Sequence, residues 1–133
     1  MRIFYSRDSD PMLLDTGAGL NELHQQLNTF LASSVMEDSI PAEVTLSPAP
    51  YQEFLKGLRI QKTEGPIMLL LSQDRWLELA GSENNLKNFV SHFYFRKPEE
   101  DGHHHPAHAN YMAAGSLGLI IEADSTWNEI NAG

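Results

Sequence analysis

The chain has 133 residues, of which 41% are hydrophobic and 20% charged, and its formal net charge is −9. This length and composition predict one globular domain over residues 1–133, large enough to fold without a metal or a disulfide. The sequence contains no cysteine, which excludes a disulfide scaffold and a thiol nucleophile. No apolar run approaches the roughly 18 residues of a membrane span, and charges come too early for a signal peptide, so we expect a cytoplasmic protein.

Acidic residues are concentrated in the first part of the chain. Between Asp8 and Glu53 there are eight acidic residues and no Lys or Arg. Such a surface repels nucleic acid and anionic membranes, because phosphate groups are bound by Lys and Arg. It can attract a basic protein partner and speed its association, or it can serve only to keep the protein soluble.

The N-terminal part predicts a strand and a helix. Alternating side chains indicate a first strand at residues 2–6, and a polar turn region follows at 8–15. An apolar stripe at helical spacing predicts an amphipathic helix at residues 18–33. The members of that stripe are Leu20, Leu23, Leu27, Phe30 and Leu31. His24 lies at the edge of the stripe, where we expect it to pack rather than to bind a ligand.

Strand patterns dominate the middle of the chain. Residues 43–47 are predicted as a second strand and residues 51–58 as a short helical turn. Three further strands are predicted at residues 58–63, 67–71 and 75–80. Because short turns separate them, we expect an antiparallel meander, and the uninterrupted apolar run of 67–71 indicates its central strand.

A second helix and a long loop complete the predicted fold. Ser82 is a suitable N-cap, and apolar residues repeat at helical spacing behind it. These are Leu86, Phe89, Val90 and Phe93. Residues 99–115 form a polar loop, 117–123 a last apolar strand and 124–133 a polar tail. Together the elements predict an α+β fold, a mainly antiparallel sheet of about five or six strands with two amphipathic helices on one face.

The loop carries a cluster of histidines. They are His103, His104, His105 and His108, and Pro106 lies between the last two. In an extended segment His103 and His105 point to the same side, and His108 can return to that point after Pro106 turns the chain. Three imidazoles at one point suit zinc or another divalent transition metal. No partner position supplies a fourth ligand, so a hydrogen-bonded or solvent-exposed loop and a pH-dependent contact surface are the alternatives.

Two other patterns bear on catalysis. Residues 114–118 resemble a nucleophile elbow around Ser116, but that motif lies between a strand and a helix, whereas a loop precedes Ser116 and a strand follows it. We therefore expect Gly115 and Ser116 to form a turn. Glu122 and Asp124 alternate at the last strand, where two exposed acids are a commoner arrangement than an acid–base pair.

Four phrases occur in order along the chain. They are PYQEFL at residues 50–55, LELAGSENNL at 77–86, GHHHP at 102–106 and GSLGLIIE at 115–122. Together they resemble immunity family 32 of bacterial polymorphic toxin systems, over roughly residues 43–124. The resemblance implies a small α+β protein that neutralises a toxin encoded nearby by direct contact, without catalysis or a cofactor. It carries over no catalytic residue.

The resemblance also suggests which residues meet the toxin. An acidic protein suits a basic toxin, and exposed aromatic side chains are common anchors of protein interfaces. The predicted contact residues are His103, His105, Pro106, Tyr111, Tyr51 and Trp76. Two alternatives stay open. One is a metal-binding protein or metalloenzyme that uses His103, His105 and His108, and the other is a structural protein that dimerises through a sheet edge.

Overall fold

The computed structural model describes residues 1–44, 48–106 and 111–126. These ranges contain two helices and nine strands, and the strands form two mixed sheets. In chain order the elements are β1 (Arg2–Tyr5), β2 (Met12–Asp15), α1 (Gly17–Ala32), β3 (Glu37–Pro41), β4 (Glu53–Phe54), β5 (Gly57–Lys62), β6 (Met68–Leu71), β7 (Leu77–Gly81), α2 (Glu83–Val90), β8 (Gly102–His104) and β9 (Ile120–Ala123). The predicted α+β class, with mainly antiparallel pairing, is confirmed.

The first sheet has the strand order β4-β1-β2-β9-β8. Strands β2 and β9 are parallel, with Leu13 opposite Ile121, and the other neighbours in this sheet are antiparallel. Residues close to the two ends of the described chain therefore lie side by side in its centre. Strand β8, which carries two of the loop histidines, is one edge of this sheet.

The second sheet has the order β3-β5-β7-β6. Strands β5 and β7 are parallel, with Ile60 opposite Leu79, so the predicted antiparallel meander is wrong. Strand β6 lies at the edge, and its predicted central position is wrong as well. Its apolar run has another cause, because residues 111–117 cover its outer edge. The amide of Ile67 donates to the carbonyl of Tyr111 at 2.7 Å, and that of Leu117 donates to Leu69 at 2.8 Å.

Helix α1 agrees with its predicted range to within one residue at each end. Thr16 caps its first turn, since the Thr16 hydroxyl accepts a hydrogen bond from the amide of Gly19 at 3.0 Å. All five members of the predicted stripe are buried. His24 is half-buried beside that stripe, with its Nε2 3.0 Å from Nδ2 of Asn28, as expected for a packed histidine.

Helix α2 begins after Ser82, whose hydroxyl accepts from the amide of Asn85 at 3.3 Å. It continues as a 3-10 turn at Ser91–Phe93, so the predicted stripe extends through Phe93, and all four of its members are buried. The two helices contact each other, while α1 also contacts β2 and α2 contacts β7. One hydrophobic cluster takes side chains from both helices and both sheets.

Four segments and the number of sheets differ from their predictions. The predicted loop at 99–115 contains strand β8, and the strands form two sheets where one sheet of five or six strands was expected. The predicted turn at 8–15 contains strand β2, because Leu13 is buried between β1 and β9. The predicted helical turn at 51–58 instead contains strand β4, where Phe54 pairs with Phe4 of β1, and the first two residues of β5. Of the strand predicted at 43–47, residues 43 and 44 lie outside any strand and 45–47 lie outside the described residues.

Candidate functional site

Strand β8 presents the histidines in an alternating pattern. It pairs with β9 so that His103 lies opposite Glu122 and His104 opposite Ile121. His103 and His105 are exposed, whereas His104 is half-buried. The rings of His103 and His105 are 5.0 Å apart at 83° to each other. The prediction that these two side chains point to the same side is confirmed.

The side chain of His104 points to the interior, where it contacts His92 in the 3-10 turn after α2 and Phe95 just beyond that turn. Its ring stacks on Phe95, with centroids 4.2 Å apart and planes 7° from parallel. Its Nδ1 donates a hydrogen bond to the carbonyl oxygen of His92 at 2.6 Å, which fixes the proton on that nitrogen. The sequence did not single out His104, although its alternation with the outward histidines could have placed it on the inner side.

His92 contacts His104, with ring centroids 6.3 Å apart. Burial lowers the pKa of His92 below its usual 6.5, and the proximity of His104 lowers that pKa further. The 3-10 turn at Ser91–Phe93 thus places His92 beside His104.

The proposed metal set is only partly described. His108 lies at 107–110, outside the described residues, so its distance from His103 and His105 is not defined. Within residues 1–44, 48–106 and 111–126, no three His, Asp or Glu side chains are grouped to hold a metal ion. The nearby acids have other partners: Asp101 accepts from the amide of Ser125 at 2.6 Å, and Glu100 is 3.9 Å from Nζ of Lys97.

The predicted aromatic anchors are half-buried. The ring of Tyr51 lies 5.1 Å from that of Phe4 with the planes tilted by 34°, and Trp76 lies beneath the guanidinium of Arg59 at 4.6 Å. Burial raises the pKa of Tyr111, whose hydroxyl has no hydrogen-bond partner among the described residues. Pro106 is buried. Of the six predicted contact residues, His103 and His105 alone are exposed.

Ser116 has a structural role. Its hydroxyl accepts from the amide of Leu69 at 2.8 Å and donates to the carbonyl of Leu117 at 3.0 Å. Gly115 adopts a positive φ of 85°, and the amide of Ser116 donates to Ala113, which confirms the predicted turn. Glu122 faces His103 across the strand pair, and Asp124 accepts from Thr126 at 2.7 Å.

A second exposed surface lies around strand β3, and it was not predicted from the sequence. Glu37, Asp38 and Glu78 line one side of this strand, and Glu22 lines a groove on its other side with Ile40 and Pro41. We call Glu37, Asp38 and Glu78, which line the same pocket, the acidic face. The run of acidic residues without Lys or Arg indicated an acidic surface in this part of the chain. Strand β3 itself was not predicted, because an edge strand with only one buried residue has no apolar pattern.

One basic side chain lies beside the acidic face. Arg59 on β5 extends over Trp76 and forms paired hydrogen bonds to Asp74, at 3.1 and 2.7 Å. The bonds from Arg59 hold the pKa of Asp74 down at about 2. The guanidinium of Arg59 is therefore hydrogen-bonded to Asp74, and its interaction with Glu37 and Glu78 is a longer-range electrostatic attraction.

No protein-family model, no curated protein and no solved structure matches this chain. No helix in the described part of the chain is long and apolar enough to cross a membrane. A function for this chain is therefore inferred from its residues and their geometry.

Proposed function

We propose that this chain is a cytoplasmic binding protein that neutralises a cognate bacterial toxin by direct contact, with no catalysis of its own. The observation that carries the proposal is the acidic face, a group of carboxylates whose neighbouring cation, Arg59, already pairs with Asp74. The resemblance of four sequence phrases to immunity family 32 supports the same function. An inhibitor of this kind needs a complementary surface, and opposite charge accelerates capture of a basic toxin.

Co-expression tests this proposal. The toxic domain encoded beside this chain is expressed in a host with the intact chain, or with a control gene carrying an early stop codon. We expect growth with the intact chain and growth arrest with the control. Equal arrest in both strains would contradict the proposal.

The alternative metal-binding function has one specific observation in its favour, the exposed pair of His103 and His105 with rings 5.0 Å apart. Two imidazoles at this spacing are able to contribute to a site that His108 would complete. Elemental analysis of untagged protein tests it, with the triple alanine variant of these histidines as control. Stoichiometric metal that the variant loses would support this function, and metal-free protein would rule it out.

A further inference from the structure

The second sheet has one long open edge. Strand β6 is covered by residues 111–117, as described above, whereas no described segment bonds to the outer side of β3. Among the sheet edges within the described ranges, β3 has five residues, β8 has three and β4 has two. Unpaired backbone groups on such an edge are a template for another strand.

The register shows which backbone groups of β3 face outward. The amide of Lys62 donates to Met36 at 2.8 Å, and that of Ala42 donates to Lys56 at 2.9 Å, so the even-numbered residues bond to β5. In an antiparallel pair the alternate residues, here the odd-numbered ones, point away. Their carbonyl oxygens, at Glu37, Ser39 and Pro41, have no partner among the described residues.

Hydrogen-bond donors are scarce on the same edge. Pro41 has no amide hydrogen, and the amide of Ser39 already donates to its neighbour Asp38 at 2.9 Å. Only the amide of Glu37 is left as an outward backbone donor. The β3 edge therefore offers acceptors and carboxylates, and a strand that binds there must supply donors and positive charge.

The β3 edge also carries apolar surface. Val35 and Met36 are 53% and 59% exposed just before the strand. Val35 lines a groove of about 420 Å³ between α1 and β3, together with Phe30, Ser33 and Asp38. Exposed aliphatic side chains beside unpaired strand edges are typical of surfaces that a partner covers.

A second copy of this chain is a poor occupant of the edge. Antiparallel pairing of β3 with itself, centred on Ser39, would place Glu37 of each copy opposite Pro41 of the other, so both copies would add acidic side chains and neither strand would add a cation. Such a pair would also have too few donors, since each copy contributes only one. A segment rich in Lys or Arg meets both requirements.

We propose that the free edge of β3 is the docking site for an extended, basic segment of a protein partner. The segment adds to the second sheet as an extra strand, its amides donate to the outward carbonyls, and its Lys or Arg side chains pair with Glu37 on one face of the sheet and with Asp38 on the other. Its apolar side chains contact Val35 and Met36. The identification of that partner as a toxin rests on the proposed function, whereas the docking site itself does not.

A binding experiment tests the site directly. The probe is a synthetic peptide in which pairs of arginines alternate with pairs of valines, so that arginine points to both faces of the added strand. It is titrated into the full chain by calorimetry and by amide NMR. The test variant, Glu37→Gln with Asp38→Asn, removes two charges but keeps the oxygen that accepts from Ser39. The matched control, Asp8→Asn with Asp10→Asn, removes two charges from an exposed loop.

We expect the peptide to shift the amides of Glu37 and Ser39, and the test variant to bind at least about tenfold more weakly than the control. A peptide with glutamate in place of arginine should not bind. Equal weakening in both variants, or shifts centred on β8, would overturn the docking site. So would a dimer of the intact chain that the test variant dissociates, measured by light scattering.

Co-expression separates this inference from the proposed function. If the intact chain protects cells and the test variant protects them equally, neutralisation stands and the docking site is wrong. If the intact chain does not protect cells but binds the peptide at β3, the docking site stands and the toxin assignment is wrong. Protection that the test variant loses and the control retains supports both.

Discussion

At the scale of single residues, individual side chains connect a sheet to a helix in this protein. Lys62 is an example, because its side chain is only 9% exposed although it carries a charge. Its Nζ donates to the carbonyl of Ser33 at 2.5 Å and lies 4.9 Å from the ring centre of Phe30. Helix α1 has no basic residue in its last turn, so β5 supplies the cation that the negative end of a helix favours.

Replacement of Lys62 should therefore lower stability. We expect Lys62→Met to reduce the free energy of unfolding by about 1–3 kcal/mol, because a charge-assisted hydrogen bond to a helix end is lost. Urea unfolding followed by circular dichroism measures the change. Lys56→Met, at an exposed position, is the control and should change stability by less than about 0.5 kcal/mol. Equal effects would show that the Ser33 contact contributes nothing.

The half-buried histidines predict a pH dependence. Burial lowers the pKa of His24 below 6.5, and burial followed by the nearby His104 lowers that of His92. As the pH falls through 6.5, the unfolded chain binds protons before the folded chain does, so stability is lost on the acid side and is complete above that pH.

Unfolding curves measured between about pH 8 and pH 5 check this sign. The free energy of unfolding should fall as the pH drops below 6.5, and the variant His24→Gln with His92→Gln should show a flatter curve there. The exposed pair His103→Gln with His105→Gln is the matched control. Flattening of the curve in this control to the same extent as in the His24 and His92 variant would contradict the assignment.

At the scale of elements, the helices followed from the sequence and the strand partners did not. The stripes of α1 and α2 repeat with the helical period, and each is buried as one face. A strand pattern identifies a buried face but not the neighbour across it. For this reason β5 and β6 were predicted as a hairpin, although β5 pairs with the more distant β7.

Part of the candidate site could also be predicted from the sequence. Alternation placed His103 and His105 together, and the structure confirms this. The inward role of His104 depends on Phe95 and His92, which lie on another element and could not be assigned from local sequence. The β3 edge was missed because an open edge is a property of the whole sheet.

Ser82 was predicted as the N-cap of the second helix, and the structure confirms that role. We expect Ser82→Ala to cost about 1 kcal/mol of unfolding free energy, because an amide of the first turn loses its acceptor. Thermal unfolding measures this. Ser34→Ala, at an exposed position, is the control and should unfold as the parent does. A loss of similar size in both variants would argue against a capping effect.

At the scale of the whole molecule, charge controls the encounter with a partner. The net charge of −9 and the acidic face should steer a basic protein, and added salt screens that attraction. We expect the association rate with the proposed basic partner to fall by at least about tenfold between low and physiological salt. Stopped-flow fluorescence measures the rate. A rate independent of salt would contradict electrostatic steering.

The parallel pairing of β2 with β9 also has a consequence for the time course of synthesis. Every strand of the second sheet lies between Glu37 and Gly81, so this sheet can assemble while the rest of the chain is still being translated. The first sheet cannot be completed until Ala123 has left the ribosome, because β9 separates β2 from β8. A nascent chain would thus display the β3 edge before the outward histidines are in place.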